Sequence, residues 1–162
     1  MPDRAECLTR SVRDGRLEAA AAKLFLESQM TFTDRMIELA IAMKSAGVPW
    51  QPSAGHYVLD QDRVVQRASP FQEHVYFVLN LPHFVKLAGG VDAFVDKMVW
   101  LPTWEQSRQV LRDAGMTDQC LQSILLEKNS IARQEELVTL YELILDRFGG
   151  ASLSADSPNL AV

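Results

Sequence analysis

The stretch Val75-Tyr-Phe-Val-Leu-Asn-Leu-Pro-His-Phe-Val-Lys-Leu-Ala-Gly-Gly90, continued by Val91-Asp-Ala-Phe-Val-Asp-Lys-Met-Val-Trp-Leu-Pro-Thr-Trp104, decides how this chain folds. It is rich in aromatic and branched side chains and thin in charge. Such a run is stable only where most of it leaves water, at about 25 cal/mol per Å² of apolar area buried. Pro82, Gly89-Gly90 and Pro102 interrupt it, so no single element spans it. It reads as a buried strand over 75–79 at the centre of a small sheet, a tight corner, short helices over 83–88 and 91–99, and a capped helix opening at Thr103.

Upstream, residues 56–60 and 63–67 read as two further strands joined by an acidic turn at Gln61-Asp62. Before them, Pro49-Trp-Gln-Pro-Ser-Ala-Gly55 is a loop in which two prolines hold Trp50 in place. The preceding helix is capped by Thr31 or Thr33, buries Met36, Ile37, Ala40 and Met43, and stops at Gly47 and Pro49. At the amino end, residues 4–28 have helical periodicity, with Asp3 and Glu6 as a capping pair and a break near Gly15. Leu17 to Leu26 is apolar on more than one side. Either this helix is packed on two faces or it meets another subunit, and the second reading makes residues 1–29 an accessory or oligomerisation helix.

Downstream, Thr103 and Gln106 form a capping box for a helix closed by Gly115. Thr117 caps the next helix, whose apolar face carries Cys120, Leu121, Ile124 and Leu125. A last helix runs from about Arg133 to Phe148, and residues 149–162 have the composition of a disordered tail. The fold class is α+β and predominantly helical. A three-stranded antiparallel sheet is covered by the amino- and carboxy-terminal helices within one globular domain, residues 1–148.

The chain has 162 residues, enough for one sizeable core, and a net charge of -5. An acidic balance disfavours non-specific nucleic-acid binding, which needs clustered Lys and Arg. No apolar run approaches the roughly 18 residues of a membrane span, and the charged first fifteen residues do not resemble a signal peptide, so a cytoplasmic protein of bacterial type is expected. Cys7 and Cys120 form no CxxC pair and are read as reduced thiols.

Phosphate loops, dinucleotide fingerprints, nucleophile elbows and zinc-protease motifs are all missing from the sequence. Asp60-Gln-Asp62 begins like a calcium loop but lacks the glycine and the twelfth-position glutamate, so both are read as turn acids. His56, His74 and His83 have no metal-ligand spacing, and neither metal nor cofactor is expected. His83, next to Pro82, is the one residue placed to serve as an acid or base. The stronger signal is aromatic. Trp50, Tyr57, Tyr76, Trp100 and Trp104 come from segments expected to converge, with Gln51 and Asn80 beside them. Large aromatics with a few amides suit a ligand pocket or a partner surface, and they equally suit a filled core with indole and phenol polar groups at its rim. The expected function is a non-enzymatic binding or assembly module. The alternative is a small-molecule-binding protein or enzyme with an aromatic-lined pocket.

Overall fold

A strand that buries both its faces needs alternate residues to be apolar on both sides, and Tyr57–Asp60 (β1) meets that demand. The structure, a computed structural model, describes residues 31–69 and 71–150. The helix expected over 4–28, its self-association surface and the tail beyond Gly150 lie outside the described residues. β1 is flanked by Val75–Phe77 (β2) and Met98–Leu101 (β3), both antiparallel to it, in the order β2-β1-β3. Tyr57 faces Phe77 and Leu101, and Leu59 faces Val75 and Val99. Val58 faces Tyr76 and Trp100, and Asp60 faces Met98. Because side chains alternate along a strand, the first set lines one face of the sheet and the second set the other.

The first face is covered by four helices, Asp34–Ser45 (α1), Trp104–Asp113 (α4), Asp118–Glu127 (α5) and Glu136–Gly149 (α7). Leu39, Leu111, Leu125, Tyr141 and Ile144 pack there in one buried cluster with Val75, Val99 and Leu101. The Tyr141 hydroxyl donates to the Pro102 carbonyl at 2.6 Å, which ties α7 to the end of β3. Burial raises its pKa above the ordinary phenol value.

The second face carries a thinner layer. Leu81–Ala88 (α2) and Val91–Lys97 (α3) place Phe84, Val85, Ala88 and Phe94 over Val58, Tyr76 and Met98. Asn80 caps α2 by accepting from the His83 amide, and Gly89, at φ 97°, ends it in the left-handed region that glycine favours. Thr33, Thr103 and Thr117 cap α1, α4 and α5, and the box between Thr103 and Gln106 is formed in both directions.

The α+β class and the three-stranded antiparallel sheet agree with the reading of the sequence, but one strand is not where it was expected. Residues 63–67 are a loop. Asp60, only 1% exposed, accepts from the Val64 amide at 3.0 Å and from the Val65 amide at 2.7 Å, so these donors are committed to a carboxylate rather than to a ladder. Arg63 at φ 55° turns the chain back. Val64 and Val65 still bury their side chains against the second face, which explains their strand-like character. The third strand is Met98–Leu101, expected to be the end of a helix and its linker. Met98, at φ -98° and ψ 146°, leaves the helix and begins a period-two alternation in which Met98, Val99 and Leu101 are buried.

Val75–Phe77 is correspondingly an edge and not the centre. The carboxy-terminal helix is also divided. Ser130–Arg133 (α6) precedes α7, and Gln134 at φ 56° breaks the run between them. Cys120 is exposed, and Leu121 and Leu125 provide the buried face of α5. Among the described residues no helix is long and apolar enough to cross a membrane.

Asp60 thus replaces hairpin pairing with two charge-assisted bonds. Asp60→Ala is expected to lower stability by about 2–4 kcal/mol in urea unfolding, because it removes both bonds and leaves two amides to find new partners. A loss under about 0.5 kcal/mol would show that the loop is held by its valines alone.

Candidate functional site

The loop between α1 and β1 determines what lies over the end of the second sheet face. It leaves α1 through the Val48 amide, which donates to the Met43 carbonyl at 3.1 Å, and it rejoins the sheet where the Gly55 amide donates to Val78 at 2.8 Å. Gln106 reaches across from α4 to the Gly55 carbonyl at 3.3 Å. With Pro49 and Pro52 also restricting the backbone, Trp50 is held at a fixed position.

Trp50 meets Trp100 of β3 with 7° between ring planes and 6.2 Å between centroids, and Phe94 of α3 at 5.7 Å. Its indole N–H donates to Nδ1 of His56 at 3.0 Å. That bond requires an acceptor, so it assigns His56 as a neutral imidazole with its proton on Nε2. The imidazole also lies 5.4 Å from the Trp100 ring. Burial lowers the His56 pKa from its ordinary value, in agreement with the neutral form. The Trp100 Nε1 atom is buried and has no hydrogen-bond partner among the described residues.

Beside this pair lies a cavity of about 420 Å³. Trp50, Trp100 and Met98 form one wall, and Ala40, Met43 and Val48 at the end of α1 form another. Val95 of α3 closes it, and the exposed side chains of Lys44, Asp92 and Asp96 stand at its solvent edge. The Lys44 ammonium donates to the Asp96 main-chain carbonyl and so bridges α1 to α3. The volume falls within the range of small-molecule sites, and apolar walls with a few charged groups match their usual chemistry. Trp50 also lines a second cavity of about 710 Å³, with Gln51, Val110 and Phe148 among its other walls.

The structure separates most of the residues expected to converge. Trp50 and Trp100 do meet. Gln51 is exposed and lines only the second cavity. Tyr57 is on the opposite face of the sheet, with its ring 4.8 Å from Phe77 and 5.4 Å from Phe32. Tyr76 is buried, and its hydroxyl donates to the Arg67 carbonyl at 2.6 Å, which pins the loop after β1. Burial, and then the charge of Asp60, raise its pKa. Asn80 is the cap of α2. Trp104 is 39% exposed in the first turn of α4, under the Arg108 guanidinium at 4.5 Å. His83 is exposed on α2, away from the cavity lining.

Sequence reasoning passed over Lys44, Asp92 and Asp96. The spacing of Asp92 and Asp96 was readable as two carboxylates on one side of a short helix. Nothing local in the sequence placed Lys44 beside them.

His56 offers a direct check. Its folded pKa is depressed, so its contribution to stability is present above pH 6.5 and is lost as pH falls through the folded value. Protonation also sets N–H against N–H at the Trp50 contact. The Trp50 indole N–H resonance is expected to shift on acidification with a midpoint below 6.5, and His56→Gln to abolish that shift. A midpoint above 6.5 would contradict the arrangement. Comparison of the chain with protein-family models, with curated proteins and with solved structures finds no match.

Proposed function

We propose that this chain is a binding module rather than a catalyst, and that its site is the cavity walled by Trp50 and Trp100. The observation that carries the reading is the parallel pair of indoles beside a void of small-ligand size, with an unpartnered indole N–H in one of them. The polar groups at the edge do not form a catalytic constellation. Lys44 is engaged with a main-chain carbonyl, Asp92 and Asp96 are exposed, and the nearby imidazole already accepts the Trp50 proton. Among the described residues no three His, Cys, Asp or Glu side chains gather as a metal site. Assembly through residues 1–29 is a separate reading, motivated by the apolar character of Leu17 to Leu26.

The test is a thermal-shift panel of small amphipathic compounds on the full chain, repeated on Val95→Phe. Val95 is half-buried and lines the cavity, so the larger ring takes up its space. A ligand at 100 times its Kd stabilises by about 2.7 kcal/mol, well within detection. Compounds that stabilise the natural chain are expected to lose at least tenfold in affinity for Val95→Phe. Equal stabilisation of both proteins would place binding elsewhere.

A further inference from the structure

We infer that the ligand of this cavity is a small organic cation, an amine carried on a flat or apolar body; the inference rests on reading the cavity as a ligand site. The body follows from the walls. Trp50, Trp100, Met98 and Val95 give an apolar surface.

The sign of the charge follows from the edge. Asp92 and Asp96 are two carboxylates against the single ammonium of Lys44, which leaves one negative charge in excess. The Lys44 ammonium spends one of its three N–H donors on the Asp96 main-chain carbonyl and balances only one of the two carboxylates. The field of α1 has the same sign. This 12-residue helix ends at Ser45, and its last turn and the following residues supply Met43, Lys44, Gly47 and Val48 to the lining. The carbonyl end of a helix carries roughly half a negative elementary charge, which attracts cations and repels anions.

Asp92 and Asp96 are exposed, so their attraction is screened by salt and its strength falls as ionic strength rises. A ligand with a cation at the edge and an apolar body inside would retain the second contribution when the first is screened.

The experiment compares three probes of matched size: phenethylamine, 2-phenylethanol and phenylacetate. Each is titrated into the full-length chain and followed by the indole N–H resonances of Trp50 and Trp100, assigned through Trp→Phe variants. At low salt the amine is expected to bind about tenfold more tightly than phenylacetate, with the alcohol between them. That ratio is expected to fall to about threefold or less in about 0.5 M salt. In the double variant Asp92→Asn, Asp96→Asn, amine and alcohol are expected to bind within about twofold of one another while both still shift the indoles. Both aspartates are exposed, so the unchanged spectrum of the unliganded variant confirms its fold. Phenylacetate binding as tightly as the amine, or a double variant that keeps the amine preference, would overturn the cation and leave the ligand site standing. No saturable indole shift with any of the three probes would overturn both.

Discussion

β1 has a strand on each edge and a layer of helix or loop on each face, so each of its four residues answers to a different neighbour. Tyr57 and Leu59 must suit the helices of the first face, while Val58 and Asp60 must suit the second. A register shift of one residue would exchange the two sets. Asp60 would then be pushed into the core of Leu111, Tyr141 and Ile144, where the Tyr141 hydroxyl is already committed to the Pro102 carbonyl, and a buried unpaired carboxylate is among the least tolerable groups in a protein interior. This one carboxylate therefore fixes the register as firmly as the apolar residues around it. It also explains why the chain leaves the sheet after β1: the Val64 and Val65 amides that could have continued a hairpin are bound to Asp60 instead.

The loop that results is built from both sides. Asp60 holds its start, and Tyr76 holds its end by donating to the Arg67 carbonyl. Tyr76 and Asp60 share the same sheet face, and the carboxylate makes ionisation of the phenol less favourable still. Two polar side chains on the face of a small sheet thus do the work that backbone pairing does in a hairpin.

What could be read from the sequence followed how local each signal was. The caps at Thr33, Thr103 and Thr117 and the glycine stop at Gly47 depend on neighbours within a few residues, and all are present. The placement of strands depends on partners far along the chain. Val64 and Val65 have strand propensity, yet Asp60 takes their amides; Met98 to Leu101 follows directly on a helix, yet β1 pairs with it. Propensity records packing on a pleated, half-buried surface, and Val64 and Val65 are half-buried against the sheet without being a strand. The site was legible in part for the same reason. Trp50 stood out between its prolines, whereas Tyr57 and Tyr76 went to opposite faces of the sheet because they are cross-strand neighbours offset by one residue. The Lys44 contact to Asp96 joins residues 52 positions apart, and no window of sequence contains it.

The cavity is a consequence of the unequal layers. The first sheet face is covered by helices that include one of 12 residues and one of 14, while the second has only eight-residue α2 and seven-residue α3. At 1.5 Å per residue, α3 is about 10 Å long, and it reaches the end of α1 through the Lys44 side chain across a gap lined by Met43 and Val95. The loop before β1 carries Trp50 into that gap, and an indole is the largest side chain available to fill it. Even so, space remains between Trp50, Trp100 and the last turn of α1. α3 ends beside it because the chain turns into β3 at Met98, where β1 takes its second edge partner. The pocket and the strand pairing therefore meet at one boundary, Lys97–Met98: Val95 and Asp96 on its helical side and Met98 and Trp100 on its strand side line the same space, and Met98 and Trp100 also pair with Asp60 and Val58 of β1.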